Sequence, residues 1–227
     1  MTEVEAFPDA EAAAQAAAEA IAAALVRAIR ERGAAVFVAT GGRSPGRVYD
    51  RLAEADLDWS RVAVVLSDER WVDPASPDSN QRLLAERLFR GRAGSAGFTP
   101  LKTDAPDAAA GALAVEAPVA GLAPFAATLL GMGEDGHIAS LFPGNPALAQ
   151  GLDPAGDRFV VHAPAGDPAP VQDRVSLTLR ALLASDLIVV LTAGEAKRRM
   201  IERGADRPIH TLLQQARAPV RLIWSPQ

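Results

Sequence analysis

The chain has 227 residues, a formal net charge of −5 and no cysteine. Without cysteine it has no disulfide, thiolate metal site or cysteine nucleophile, and we expect a cytoplasmic protein. Its 23 lysines and arginines are scattered along the sequence, which argues against a nucleic-acid partner. No uninterrupted apolar run approaches the roughly 18 residues of a membrane span, and the acidic N-terminal stretch does not look like a secretory signal.

Apolar periodicity and turn residues predict strands that alternate with helices. A long helix is expected at 10–32, between a capping Asp9 and a terminating Gly33, and a helix at 79–89 is expected to be capped by Asp78 or Ser79. The other predicted helices are 44–55, near 107–115, 194–204 and 209–216. The predicted strands are 34–40, 61–66, near 98–102, 125–132, 158–164, 174–179, 186–192 and 219–225.

Near-continuous apolar strands are typical of a parallel sheet that is buried on both faces. We therefore predict one domain, 1–227, of the α/β class, with a three-layer α/β/α architecture around a mostly parallel sheet. Ligands of such sheets bind beyond the carboxyl ends of the strands. The loops that directly follow strands are therefore the candidate functional site.

The first such loop is ATGGRSPG, residues 39–46. Gly41, Gly42, Arg43 and Ser44 precede a helix, and backbone N–H groups at a helix start can bind a phosphate. The alternative is an ordinary turn in which Ser44 caps the helix and Pro45 is its first residue. The loop has neither the Gly-Lys-Ser/Thr ending of nucleotide phosphate loops nor a G-x-G-x-x-G pattern.

The second loop is LSDERWVDPASPDSNQRL, residues 66–83. Asp68, Glu69 and Arg70 come directly after a strand, where charges usually form a solvated loop or a local ion pair. In a functional interpretation, Arg70 binds a phosphate or carboxylate with its guanidinium fork. Asn80, at a helix start, would then face the same cleft.

The third loop is LLGMGEDGHIASLFPG, residues 129–144, in which three glycines allow a close backbone approach. His137 is either a structural histidine or a general base. We expect a helix to begin just after it, whose dipole would favour the neutral imidazole, and Asp135 to orient the ring. His162 and His210 lack such surroundings and are interpreted as structural or surface residues.

A metal-dependent hydrolase is the main chemical rival to a general base. Asp135 and His137, joined by Glu134, Asp68 or Glu69, would supply the ligands. No second histidine lies nearby, however, and no H-E-x-x-H spacing occurs. A serine triad is disfavoured because the sequence has no G-x-S-x-G turn.

Together these stretches resemble the 6-phosphogluconolactonase family, within the glucosamine-6-phosphate isomerase/deaminase superfamily. The long stretch 129–144 is similar to the family's G-M-G-x-D-G-H-x-A-S-L-F-P-G signature, and residues 39–52 and 67–83 are similar to its glycine loop and its D-E-R…S-N segment. RVSLTLRAL and VVLTAGEAKRRMI are similar to its later strand and G-x-x-K segments. The resemblance implies a Rossmann-like fold and hydrolysis of 6-phospho-D-glucono-1,5-lactone to 6-phosphogluconate, the second step of the oxidative pentose phosphate pathway.

The resemblance also implies roles for individual residues. His137 would activate water with Asp135 as its neighbour, while Arg70 and Lys197 would bind the phosphate. The residues expected to complete the substrate site are Gly41, Gly42, Arg43, Ser44, Asp68, Asn80, Gly133 and Arg174. No metal or other cofactor is implied, and we expect a monomer whose only partner is a sugar-phosphate lactone. The alternatives are a sugar-phosphate isomerase/deaminase and a non-catalytic sugar-phosphate sensor.

Two positions depart from the family pattern. Ala126 stands where the family has an aspartate early in the strand before G-M-G, and Ile138 replaces the usual threonine after the histidine. If that aspartate supports the glycine loop, its absence leaves backbone donors that need another partner.

Overall fold

The computed structural model describes residues 3–166, 170–203 and 206–227. Within these ranges the strands are β1 (Val4–Ala6), β2 (Ala35–Ala39), β3 (Val62–Leu66), β4 (Asp68–Arg70), β5 (Gly97–Thr99), β6 (Ala127–Leu130), β7 (Val160–Ala163), β8 (Arg174–Leu177), β9 (Ile188–Ala193) and β10 (Val220–Ser225). The helices are α1 (Ala10–Arg32), α2 (Pro45–Ala53), α3 (Asn80–Arg87), α4 (Ala108–Ala120), α5 (Leu148–Gly151), α6 (Leu179–Leu183), α7 (Glu195–Arg203) and α8 (Pro208–Gln215).

A parallel sheet of seven strands, in the order β1-β10-β9-β6-β2-β3-β5, forms the centre of the molecule. Across the sheet, β1, β2, β3 and β5 follow one another in one direction, and β6, β9 and β10 then follow in the opposite direction. Because crossovers between parallel strands are right-handed, α1, α2 and α3 lie on one face and the later helices on the other. The predicted α/β fold with helices flanking a parallel sheet is confirmed.

A second, antiparallel sheet consists of β4, β8 and β7. The strands predicted at 158–164 and 174–179 therefore exist, but they do not belong to the parallel sheet. The segment 66–83 is not loop throughout, because Asp68–Arg70 pairs with Arg174–Ser176 as a strand. This pairing brings two stretches that are distant in sequence to the same edge of the molecule.

The helix α1 packs against the central sheet. Asp9 caps its N-terminus and Gly33 ends it in the left-handed conformation, as the sequence predicts. By length and composition alone α1 could cross a bilayer, although Glu11, Gln15 and Glu19 interrupt its apolar run. Helices buried in the core of a globular protein meet the same criterion, and one face of α1 lies in this core.

The helix predicted directly after His137 is wrong. Ile138 forms bridges with Met132 and Leu141, and Ala139 has a positive φ of 48°, so the chain turns there instead of coiling. The next helix begins only at Leu148. The segment directly after His137 therefore does not supply the helix dipole that we expected to act on its imidazole. The predicted end of the helix at 194–204 lies outside the described residues.

Candidate active site

A cleft of about 250 Å³ lies at the carboxyl ends of β9, β6, β2 and β3. These four strands are neighbours, and the chain departs in opposite directions from β2 and β6. Such a topological switch point is where α/β sheets bind ligands. All the predicted site residues except Asp135 line this cleft: Gly41, Gly42, Arg43, Ser44, Asp68, Arg70, Asn80, Gly133, His137, Arg174 and Lys197.

A larger groove of about 520 Å³ lies between α1 and α2 and includes none of these residues. Its arginines Arg47 and Arg51 pair with Glu11. The cleft at the strand ends, and not this groove, brings together the groups that can do chemistry.

The loop 40–44, between β2 and α2, contributes backbone donors to the cleft. The N–H groups of residues 41–44 donate to no residue within the described part of the chain. Gly42 has a φ of +100°, and a Cβ on Gly41 would overlap the side-chain amide of Asn80. Ser44 precedes α2 but makes no side-chain capping bond. Four consecutive unpaired donors at a helix start are suited to an anion.

Glu69 has a structural position that the sequence did not indicate. Its buried carboxylate accepts hydrogen bonds from the N–H groups of Arg70, Asn80 and Gln81, and from Ser79 Oγ. Burial raises the pKa of Glu69, and these hydrogen bonds oppose that effect. Glu69 thus stabilises the N-terminus of α3, whose side-chain cap is Ser79, and it does not line the cleft.

Asp68 lines the cleft, but other side chains of the protein occupy its carboxylate. Ser67 Oγ donates to Oδ1 at 2.9 Å, Ser140 Oγ donates to Oδ2 at 2.6 Å, and Arg174 Nη1 lies 3.5 Å from Oδ2. Asn80 Nδ2 also donates to the Asp68 carbonyl at 2.8 Å. Through these contacts Asp68 holds together the segments around the cleft. Its occupied carboxylate is not suited to bind an anion.

Two arginines of the antiparallel sheet enter the cleft with donors to spare. Arg70 donates to the Asp78 carbonyl, and Arg174 contacts Asp68 as described above. The Nε atoms of both are buried and have no hydrogen-bond partner among the described residues. Burial lowers the pKa of Arg174, an effect that Asp68 opposes. Buried unpaired donors are costly, so this pair of guanidinium groups is prepared for an anionic partner.

Lys197 projects into the cleft from the first turn of α7, and the exposed Arg43 lines it from the loop 40–44. Burial lowers the pKa of Lys197; Glu134 opposes this shift, and Arg43 adds to it. With Arg70 and Arg174, these residues give the cleft four basic side chains, whereas Asp68 is its one carboxylate among the described lining residues.

His137 and Asp135 form a hydrogen-bonded pair at the edge of the cleft. Asp135 Oδ1 lies 2.6 Å from His137 Nδ1 and also accepts from the His137 backbone N–H at 3.2 Å. The bond from His137 lowers the pKa of Asp135 against the opposing effect of burial. An ionised carboxylate only accepts hydrogen bonds, so Nδ1 is the donor of this bond, and in a neutral imidazole the lone pair is then on Nε2.

The backbone of the loop 131–137 holds this pair in place. Gly133 N–H donates to the His137 carbonyl at 3.0 Å, and Ile209 N–H of α8 donates to the Gly136 carbonyl at 3.1 Å. A Cβ on Gly133 would overlap the His137 ring and the Asp135 carboxylate, and Gly136 has a φ of +81°. The glycines therefore permit the turn that brings the two side chains together.

Phe142 connects the imidazole to one of the arginines. Its ring centroid lies 4.3 Å from that of His137, at an interplanar angle of 43°, and the Arg174 guanidinium lies 5.8 Å from it. We did not single out Phe142, Ser140 or Ser67 from the sequence. Phe142 and Ser140 stand within the quoted stretch 129–144, but nothing in their spacing indicates that they contact His137 and Asp68.

Within the described residues, no group of three or more His, Cys, Asp or Glu side chains is arranged to hold a metal ion. Asp68 and Glu69 are engaged elsewhere, as shown above. His162 lies 3.4 Å from Asp173, and His210 Nε2 contacts the Met200 carbonyl; neither histidine lines the cleft.

Ala126 does not face the glycine loop. Its N–H donates to the Val36 carbonyl at 2.8 Å, near the start of β2 and thus at the opposite end of the sheet from the cleft. Its side chain is fully buried, as is that of Ile138. The suggestion that loop donors need another partner because Ala126 replaces an aspartate is therefore not supported.

Comparisons with known proteins agree with this architecture. Residues 8–227 match the family described as glucosamine-6-phosphate isomerases/6-phosphogluconolactonase. The chain is 44% identical to a 6-phosphogluconolactonase of Caulobacter vibrioides, over 98% of this chain and 97% of the relative, and 39% identical to one of Mesorhizobium japonicum, over 97% and 94%. A crystal structure of a 6-phosphogluconolactonase from Shewanella baltica aligns with a TM-score of 0.93 and 33% identity, over 99% of this chain and 98% of that one.

A monomeric glucosamine-6-phosphate deaminase also aligns, with a TM-score of 0.79 and 21% identity. At that identity the likeness shows the shared fold alone. The match over nearly the whole chain and the identities to the lactonases show the relationship: this chain belongs to the glucosamine-6-phosphate isomerase/6-phosphogluconolactonase family.

Proposed function

We propose that the chain is a 6-phosphogluconolactonase, which hydrolyses 6-phospho-D-glucono-1,5-lactone to 6-phospho-D-gluconate in the oxidative pentose phosphate pathway. The observation that carries this proposal is the hydrogen-bonded pair of His137 and Asp135 beside a cleft with four basic side chains. The pair can activate water, and the basic side chains can hold a phosphorylated substrate.

In the proposed reaction, water attacks the lactone carbonyl carbon C1 while His137 Nε2 takes a proton from it. Asp135 holds the ring through Nδ1 and stabilises the imidazolium that forms. A positioned general base contributes about 10²–10⁴-fold to a rate. The tetrahedral oxyanion then collapses, the bond from C1 to the ring oxygen breaks, and the ring oxygen takes up the proton. The product is a carboxylic acid, which ionises and releases a proton to solvent.

The basic side chains divide between the two ends of the substrate. Lys197, Arg43 and Arg70 bind the phosphate together with the N–H groups of the loop 40–44. Arg174 and His137 both lie beside the Phe142 ring. Arg174 stabilises the oxyanion that develops at C1. Because the phosphate is remote from C1, its binding energy orients the ring for attack.

We further infer a monomer in the cytoplasm, formed as one domain and acting without a metal ion. The four basic side chains and the pair of His137 and Asp135 all come from one chain, which is consistent with a monomer. The absence of cysteine suits a reducing compartment. One contiguous core cluster runs from Ala13 to Ile223, which supports a single domain.

The proposal is tested by mixing the purified protein with freshly prepared 6-phosphogluconolactone and following proton release. We expect a rate far above spontaneous hydrolysis, unchanged after dialysis against a strong chelator. A parallel incubation with glucosamine 6-phosphate is assayed for ammonia. Ammonia release without lactone hydrolysis would favour the deaminase, no turnover of either substrate would favour a sensor, and a rate lost to the chelator and restored by one metal would favour a metal-dependent hydrolase.

A further inference from the structure

The hydroxyl of Tyr49 has a use that core packing does not explain. Tyr49 is the only tyrosine of the chain and is fully buried in α2. A phenylalanine would fill the same space, and burying a hydroxyl is unfavourable unless it is hydrogen-bonded. Both hydrogen bonds of this hydroxyl go to the backbone of a single residue, Thr40.

Thr40 N–H donates to the Tyr49 hydroxyl at 2.8 Å, and that hydroxyl donates in turn to the Thr40 carbonyl. Thr40 directly follows β2 and is almost fully buried. Its backbone groups would otherwise be left unpaired away from water, which costs free energy. The side chain of Tyr49 therefore replaces the pairing that the sheet would have provided at this position.

This arrangement fixes the start of the loop 40–44. The end of the loop is fixed because Pro45 begins α2, the helix that also carries Tyr49. Between these two points, the N–H groups of residues 41–44 remain unpaired within the described chain. The loop is thus held by residues whose polar groups do not compete for its donors.

Resting on the proposed function, we propose that Tyr49 is a positioning residue that holds the loop 40–44 in the conformation that binds the substrate phosphate. It does not touch the substrate, because its side chain is fully buried and does not line the cleft. The hydroxyl acts by presetting the direction of the four N–H groups, so it matters for phosphate binding and not for the reaction at C1.

The first test compares Tyr49→Phe with wild type on two substrates. We expect KM for the phosphorylated lactone to rise about tenfold, equivalent to about 1.4 kcal/mol, with kcat changed less than threefold. The rate on unphosphorylated gluconolactone should stay nearly constant. Equal losses on both substrates, or an unchanged KM, would overturn the proposal. If wild type has no activity, the proposed function fails, and the second test below still decides the role of Tyr49.

Thr128→Val is a matched control for lost stability. Thr128 is fully buried in β6, its hydroxyl lies 2.7 Å from Ser185 Oγ, and neither residue lines the cleft. Both variants remove one buried hydroxyl, so both should unfold at a lower temperature. Only Tyr49→Phe should raise KM. A similar rise in KM for Thr128→Val would show that the effect follows stability and not the loop.

The second test does not depend on turnover. Replacing tyrosine metabolically with 3-fluorotyrosine places a single fluorine label at position 49. We expect 6-phosphogluconate, and inorganic phosphate at higher concentration, to shift its fluorine resonance, while gluconate leaves it in place. A resonance that does not move on saturation with 6-phosphogluconate, with binding shown separately by calorimetry, would contradict coupling between Tyr49 and the loop.

Discussion

The two glycine-containing loops of the cleft are held in opposite ways. The N–H groups of residues 41–44 donate to no residue in the described ranges, and the loop 40–44 is fixed at the buried Thr40 and by Pro45 at the start of α2. The loop 131–137 is bonded within itself and to α8, and it carries the partly exposed side chains of Asp135 and His137. The first presents free donors to a bound group, whereas the second fixes a reactive pair. The difference indicates that the first loop serves substrate binding and the second serves the chemistry. Mutations in the first loop should therefore change KM, and mutations in the second should change kcat.

The largest effect is expected for His137→Ala. The variant lacks the general base, so kcat should fall about 10²-fold or more while KM stays within a few-fold of wild type. Stopped-flow proton release measures both. Circular dichroism should show unchanged folding, since His137 lies at the edge of the cleft. A kcat within a few-fold of wild type would remove His137 from the mechanism.

Arg70→Ala and Lys197→Ala are expected to weaken phosphate binding and to leave the reaction at C1 intact. Each removes a charge-assisted contact worth about 1.5–3 kcal/mol, so KM for the phosphorylated lactone should rise about ten- to a hundredfold. Unphosphorylated gluconolactone should be hydrolysed almost as by wild type, because it has no phosphate to bind. Steady-state kinetics on both lactones measure this, and equal losses on both would mean that these residues hold the fold or act at C1.

A glycine-to-alanine substitution in each loop tests the same separation of binding from chemistry. Gly133→Ala places a methyl group against the His137 ring and should lower kcat about tenfold, whereas Gly41→Ala displaces the Asn80 amide and should raise KM about tenfold. Overpacking of this kind costs about 1–3 kcal/mol. Thermal unfolding monitors the fold of each variant. The separation of the loops would be wrong if both variants lowered kcat alone.

A smaller effect is expected from pH. Because burial lowers the pKa of Lys197, its ammonium loses its proton below the ordinary lysine range near 10.4. Affinity for 6-phosphogluconate should therefore be full in neutral solution and weaken as pH rises through the lowered pKa. Titration calorimetry across pH 7–10 measures the weakening. Lys197→Arg stays charged, so its affinity for 6-phosphogluconate should not weaken over this alkaline range. The same weakening in that variant would show that another group loses its proton.

Much of the architecture follows from the sequence because apolar strands and terminating glycines act locally. The long helix from Asp9 to Gly33 and the buried strand that precedes Thr40 are examples. The loops after β2, β3, β6 and β9 meet in one cleft because parallel strands share their carboxyl edge. That rule, with the family resemblance, predicts which loop residues line the cleft.

What the sequence could not supply depends on contacts between distant segments. The strand Asp68–Arg70 has no apolar pattern, and it exists because β8 pairs with it. The burial of Glu69 reflects the N-terminus of α3, ten or more residues away along the chain. The helix predicted after His137 fails for a more local reason, since Ile138 forms bridges with Met132 and Leu141 within the same loop, in place of helical turns.

The separation of binding from chemistry is tested most directly by a double-mutant cycle between His137→Ala and Lys197→Ala, read as kcat/KM for the phosphorylated lactone. Independent sites give free-energy changes that add within about 0.3–0.5 kcal/mol. We predict that the double variant loses the product of the two single fold-losses, within about twofold. A double variant no worse than His137→Ala alone would contradict the account, because Lys197 would then act only through the base.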